Sequence, residues 1–371
     1  MSPYRFELAG PDDDEELRAV LAETPMPGAI SLAFGREPSF FAAAVVAGRF
    51  RQVIVAREER TQRIVAVGSR SVGMRYVNGQ PTAIGYLSGL RIFPGHRGRG
   101  LLARGYALLR KLHEDGRTPL YLTTIAEDNR AALVVLTGGR AGLPMYHFAG
   151  RYYTAAIRLA ARRASPASRE GLQIRPGRPD DMPAVLEFLR RTGPRRQFLP
   201  CYEPDDFGSP SGALRDLEPG DLCLAFRDGR LIGTLGGWDQ HAFRQIRVAG
   251  YRGVIRWIRP WYNVWARIRG LPPLPRPNQP VRYLVAALPL VADEDPVVLG
   301  QLLEALMRFR RGGPWEYLLV GMHESDPLLS ALRRHPAGWY TTNLYLACWQ
   351  DGDDLRRSLD GRPFYVELGS L

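Results

Sequence analysis

Two stretches of this chain repeat one another: AGPDDDEELRAVL at 9–21 and GRPDDMPAVLEFL at 177–189. Each follows a short extended run, YRFEL or LQIR, and each sets Pro-Asp-Asp at the start of an amphipathic helix. Proline fits the first helical turn, and aspartate there satisfies free N–H groups and opposes the helix dipole. The same opening used twice predicts one fold built twice. The 371 residues agree with that, since a domain takes ~100 to 200 residues. Between the copies, RLAARRASPASREG reads as a connection. The expected division is therefore 1–160, a linker at 161–171, and 172–371.

Periodicity in the first copy predicts a strand at 4–9, helices at 13–22 and near 38–48, and strands RQVIVAR, RIVAVGSRSVGM and TAIGYLSGLRIF. A helix at about 99–114, strand PLYLTTIA, a short helix from Asn129 and strands near MYHF and RYYTAAIRL complete it. Strands and helices in this alternation predict a mixed α/β sheet. The second copy carries an insert, YRGVIRWIRPWYNVWARIRGLPPLPRPNQP (251–280), whose Trp257, Trp261 and Trp265 recur every four residues. They share a helical face if the backbone kinks at Pro260. A membrane surface, a greasy substrate groove, and an arm packed on the other half or on a twin subunit are the three readings.

Composition excludes several classes. Hydrophobic residues make up 45% and charged residues 24%, which is ordinary for a globular chain. No run approaches ~20 uninterrupted apolar residues, and the acidic beginning does not read as a secretory signal. Cytoplasm is the default expectation. Cys201, Cys223 and Cys348 are far apart, so neither a disulfide framework nor a metal site is expected. The net charge of +12 rests almost wholly on arginine, with Lys111 the one lysine. Without a recognisable nucleic-acid module, basic surface is only a first footprint, and an anionic small molecule fits the charge as well.

The stretch PGHRGRGLLARG at 94–105 ends a strand, turns on Arg and Gly, and opens a helix. Outward N–H groups, close backbone approach at glycine and a helix N-terminus make an anion site. It lacks the GK[ST] ending of a Walker loop and the GxGxxG of a dinucleotide site. It resembles the acetyl-CoA pyrophosphate loop of the GNAT N-acetyltransferase superfamily, Arg/Gln-x-x-Gly-x-Gly/Ala, with Arg97 and Gly100 in place and Leu102 where the last small residue belongs. TIAEDNRAALVVL is similar to the family's fifth strand and following helix, with Asn129 and Ala132 at matching positions. Leu136 stands where a tyrosine often protonates the leaving thiolate. Matching Tyr121 to Tyr317 sets Arg97, Arg99 and Gly100 opposite Asp293, Asp295 and Pro296. Carboxylates repel a pyrophosphate and proline lacks a donor, so the second half is expected to be degenerate.

The resemblance implies two GNAT-like domains in tandem. It implies an acetyl-CoA or other acyl-CoA co-substrate, held by Leu90, Arg91 and Ile92, by Arg97, Gly98, Arg99, Gly100, Leu101 and Leu102, and by Asn129. The activity implied is acyl transfer to a small-molecule or peptide amine. A tRNA-dependent aminoacyl transferase of similar tandem plan and a non-catalytic acyl-CoA-binding module are the alternatives. Amines of pKa ~10 need a base near neutral pH. Glu127 and Asp128, at the end of the fifth strand, are the candidates, with helix capping as their ordinary role. Tyr146 is the candidate acid in place of Leu136, or else a packed strand tyrosine. His323 and Glu324 occupy the equivalent place in the second half and are candidate substrate contacts. The C-terminal FYVELGSL is a further candidate for the base, because some tandem relatives use a terminal carboxylate.

Overall fold

The structure is a computed structural model that describes residues 3–26, 28, 30–140, 142–159, 171–269 and 273–371. The first half runs β1 (Tyr4–Leu8), α1 (Asp14–Glu23), β2 (Ile30–Gly35), α2 (Phe40–Ala43), β3 (Phe50–Glu58), β4 (Ile64–Val77) and β5 (Gln80–Ile92). It continues through α3 (Leu101–His113), β6 (Leu120–Ala126), α4 (Arg130–Leu136) and β7 (Met145–Arg158). The second half runs β8 (Leu172–Pro176), α5 (Met182–Thr192), the two-residue β9 (Phe207–Gly208) and β10 (Leu214–Arg215), β11 (Leu222–Arg227), β12 (Arg230–Trp238) and β13 (Gln245–Tyr251). After it come α6 (Val254–Arg269), β14 (Tyr283–Val291), α7 (Pro296–Phe309), β15 (Tyr317–His323), α8 (Leu329–Leu332), β16 (Ala337–Cys348) and α9 (Asp353–Arg357). The linker expected at 161–171 lies, apart from Gly171, outside the described residues.

The repeated Pro-Asp-Asp has one job in both places. The second aspartate turns back onto the backbone, Asp13 accepting from Gly10 N at 3.0 Å and Asp181 from Arg178 N at 2.8 Å. The same carboxylates pair with strand arginines, Asp13 with Arg57 and Asp181 with Arg175, both at 2.6 Å. Each helix is thus tied to its sheet by its first turn. Behind it, α1 buries Leu17, Val20 and Leu21, and α5 buries Val185, Leu186, Phe188 and Leu189, at ~1.5–3 kcal/mol for each full burial.

Twelve strands form one sheet in the order β1-β3-β4-β5-β6-β16-β7-β15-β14-β12-β11-β8. The centre of this order is an exchange. The last strand of each half leaves its own half and pairs with the other: β16 lies antiparallel to β6, and β7 lies antiparallel to β15. The two exchanged strands also pair with each other. One row across the sheet reads Ala126, Thr342, Tyr152, His323. The C-terminal ends of β6 and β15 therefore meet the same central row, from opposite directions. A second junction is the separate ribbon of β2 with β13, one strand from each half.

Two expectations are corrected and one strand is added. The helix predicted near 38–48 is the four-residue α2 followed by a 3-10 turn at Val45–Ala47, because Gly48 (φ +151°) ends it. The two strands predicted around MYHF and RYYTAAIRL are the single β7, which passes through Gly150 (φ +108°) unbroken. The added strand is β2 at 30–35; its partner strand is some two hundred residues away, so no local pattern announces it. In the insert, α6 continues through Pro260.

Candidate functional site

β5 and β6 are parallel neighbours, yet they pair only at Gly85 with Tyr121 and Tyr86 with Leu122. Beyond that they part. The cause is a bulge in β5: Val67 pairs with Arg91 and Ser69 with Ser88, so Gly89 and Leu90 stand opposite the single Gly68. Gly89 has φ +67°, a left-handed conformation that glycine adopts without a Cβ penalty. Leu90, Arg91 and Ile92 therefore run along the open side of a V-shaped cleft.

The chain then crosses from β5 to α3 through residues 93–100. A 3-10 turn at Pro94–His96 leads to Arg97, and Gly98 and Gly100 are both left-handed, at φ +76° and +73°. A Cβ on either glycine would meet nothing within 4 Å. Gly100 precedes α3 without a side-chain cap, so the amides of the first turn, Leu101 and Leu102 among them, have no intrahelical acceptor. Arg97 reaches back to Ile92 O at 3.3 Å, while Arg99 and His96 meet at the Tyr4 hydroxyl, at 3.1 and 2.9 Å. Open space, free donors and two cations coincide at this turn.

The second half repeats the plan and closes it. β14 and β15 pair over Tyr283, Leu284 and Val285 and then separate, and β14 carries the same bulge, with Leu288 left-handed at φ +52°. Here the chain's own tail fills the space. Glu367 accepts from Leu288 N at 3.1 Å and from the Tyr365 hydroxyl at 2.6 Å, and Tyr152 donates to Val366 O at 2.8 Å. Burial holds the Glu367 carboxyl above its usual range. The crossing from β14 to α7, residues 292–295, is half as long as its counterpart. Asp295 caps α7 by accepting from Val297 N at 2.8 Å, and Pro296 follows at the first helical position.

The mouth of the first cleft is basic. The ribbon pairs Gly35 with Gln245, and immediately beyond that pair stand Arg36 and Arg244. Burial pushes Arg36 down to about 9, with the charges of Arg244 and Arg91 adding to the effect, and pushes Arg244 down to about 10. Arg244 donates to Gly369 O and Leu371 O at 2.9 and 2.8 Å. Tyr86 on β5 meets Thr124 on β6 at 3.3 Å, across the base of the cleft. Burial first, then the neighbouring Asp128, pushes the Tyr340 hydroxyl up to about 12, while Arg91 opposes the rise. Arg91, Asp128 and Tyr340 thus gather from β5, the end of β6 and β16.

Residues singled out from the sequence fall into four groups. The loop residues Arg97 to Leu102 and Leu90 to Ile92 lie together along the cleft. Glu127 and Asp128 sit exposed at the end of β6, where Glu127 pairs with Arg151 at 3.4 Å and Asp128 lies against Gly28. Asn129 accepts from Ala132 N at 3.2 Å as the cap of α4. Tyr146 packs in the same cluster as Leu136, its hydroxyl 2.5 Å from that of Tyr106, and burial raises it well above the ordinary tyrosine range. His323 is held on both ring nitrogens, Nε2 donating to Ala149 O and Nδ1 bonded to Ser325 Oγ, each at 2.7 Å. Glu324 is exposed, its amide donating to Arg151 O at 2.8 Å. Among the described residues, His147, Cys348 and Asp353 are one group of metal-ligand type, but Asp353 is already held by Arg356 and Arg357. Arg36, Tyr86, Tyr340 and Arg244 escaped sequence reasoning, since lone arginines and tyrosines carry no spacing signal.

No protein-family model matches the sequence, and no curated protein sequence matches it. Solved structures do. N-myristoyltransferase of Saccharomyces cerevisiae with bound myristoyl-CoA aligns over 94% of this chain and 79% of its own, at 12% identity and TM-score 0.57. A GCN5-related N-acetyltransferase from Sphaerobacter thermophilus aligns over 100% and 99%, at 14% identity and TM-score 0.58. Another from Anabaena variabilis aligns over 92% and 72%, at 10% identity and TM-score 0.52. The chain thus has the fold of the GNAT acyl-CoA N-acyltransferases, with a splayed, bulged sheet in each half.

Proposed function

We propose that this protein is an N-acyltransferase that takes an acyl group from acetyl-CoA or another acyl-CoA and transfers it to an amine. The observation that carries the reading is the turn at 93–100, with its two left-handed glycines at an uncapped helix start, set beside a counterpart that is closed. An acyl-CoA fits the residues present. Its pyrophosphate would meet the amides from Gly98 to Leu102 and the side chains of Arg97 and Arg99, and its pantetheine arm would follow Leu90 to Ile92. The bound co-substrate supplies a thioester open to attack by an amine.

The chain's own residues then have three tasks. Backbone N–H groups along the open side of β5 orient and polarise the thioester carbonyl. Asp128, on the opposite lip and beside Tyr340, takes the proton of the incoming ammonium group; Glu127, paired with Arg151, is the second carboxylate in reach of that lip. As the C–S bond breaks, the proton that the acylated nitrogen sheds passes to the departing sulfur, which the hydroxyls of Tyr146 and Tyr106 hydrogen-bond. Arg36, Arg91 and Arg244 give the mouth a positive lining, which favours an amine that also bears an acid group.

Calorimetric titration with acetyl-CoA, followed by thiol release across a panel of amines with and without carboxylates, tests the reading. Binding with turnover on an acidic amine is the expected result. Binding with no turnover on any amine would leave a non-catalytic acyl-CoA module, and tRNA binding in place of acyl-CoA binding would favour an aminoacyl transferase.

A further inference from the structure

α6 is amphipathic, and its apolar side faces away from the protein. Trp257, Ile258, Trp261, Val264, Trp265 and Ile268 recur at steps of three and four, which at 100° per residue confines them to an arc of about 120°. All six are exposed, Trp257 at 76% and Trp261 and Ile268 at 79% each. The opposite side docks through polar groups. Arg259 Nε donates to Pro275 O at 3.1 Å, Asn263 exchanges two hydrogen bonds with Leu274 at 3.0 and 2.7 Å, and Ala266 is buried. A surface helix of a globular protein has the reverse arrangement.

Charge identifies what covers this face. From Gln240 to Ala292 there are nine arginines and no aspartate or glutamate. Arg252, Arg256, Arg267 and Arg269 flank the apolar arc and are exposed. A second copy docked face to face would bring two arginine collars together without a carboxylate to pair them, a like-charge contact that association disfavours. An anionic bilayer meets both demands: acyl chains take the arc, lipid phosphates take the collar, and indole rings favour the depth between them. No described helix is long and apolar enough to cross a membrane.

We propose that α6 lies in the surface plane of an anionic lipid bilayer, with its tryptophan face toward the acyl chains and its arginines among the headgroups. The arm is anchored for this role. Tyr251 donates to Pro275 O at 2.7 Å, Asn278 N to Val248 O at 2.7 Å and Val281 N to Ile246 O at 2.8 Å, so the chain returning from α6 runs back along β13. At its far end β13 reaches Arg244 and the cleft. Docking therefore fixes the direction in which the cleft opens relative to the membrane.

The test is flotation of the full chain with unilamellar vesicles of phosphatidylcholine alone or of phosphatidylcholine mixed with phosphatidylglycerol. The protein should float with the mixed vesicles only, with a blue-shifted tryptophan emission and weaker binding as salt rises. The exposed double variant Trp257→Glu/Trp261→Glu should bind about tenfold or more weakly at an unchanged melting temperature. Arg256→Glu/Arg269→Glu should lose the preference for phosphatidylglycerol. Failure of the unaltered chain to float with either vesicle overturns the proposal, as does equal binding by the tryptophan variant. A dimer in light scattering that the tryptophan variant converts to monomer also overturns it, in favour of a second copy.

Discussion

The crossing from β5 to α3 and the crossing from β14 to α7 begin alike and end differently. Both follow a bulged strand that has just parted from a parallel neighbour. In the first, Gly89 bears the left-handed turn, and residues 93–100 leave the α3 N-terminus without a side-chain cap. In the second, Leu288 bears it, its amide is taken by Glu367, and Asp295 caps α7 itself. The same plan thus leaves one turn open and uncapped and closes the other with the chain's own groups. The tail that fills the second cleft also meets Tyr152 on the exchanged β7 and Arg244 at the end of the ribbon.

Substitutions at the two turns should have unequal effects. The largest effect is expected from Arg97→Glu, which replaces an attraction for pyrophosphate by a repulsion. Charge-assisted hydrogen bonds contribute ~1.5–3 kcal/mol, so acetyl-CoA affinity should fall about 100-fold by calorimetry; an unchanged Kd would remove the turn from the site. Gly100→Val comes next. A left-handed conformation costs a non-glycine residue ~1–2 kcal/mol, and since the new Cβ meets no protein atom, a loss of about tenfold in affinity would report backbone placement rather than packing. Asp295→Ala should cost about 1 kcal/mol of stability through the lost cap, read as a lower urea midpoint, with acetyl-CoA affinity unaltered. Asp293→Lys should change neither quantity; a gain of a second acetyl-CoA site in that variant would show that charge alone had closed the second turn.

Much of this contrast was legible in the residues. Pro-Asp-Asp announces the duplicated helix starts because a cap is a local device, complete within a few positions. The turn at 93–100 is legible for the same reason, as is the inverted charge at Asp293 and Asp295. The exchange of β7 and β16 is not. A strand such as AGWYTTNLYLAC states that it will lie in a sheet, but any neighbour with a matching face satisfies it, and only the assembled whole selects β6 and β7. β2 and β13 pair across the two halves and carry no local turn between them, so the ribbon and the arginines at its end, Arg36 and Arg244, stayed hidden. His323 shows the opposite case. Its equivalence to Glu127 follows from matching Tyr121 to Tyr317, yet its two ring nitrogens are committed to Ala149 and Ser325, a detail that spacing does not encode.

On the proposed function, one half binds acyl-CoA and the other does not. Calorimetric titration of the whole chain with acetyl-CoA tests it most directly, run beside Arg97→Glu and Asp293→Lys. One site per chain, lost in Arg97→Glu and intact in Asp293→Lys, is the predicted result. Two equivalent sites, or equal effects of the two substitutions, would contradict it.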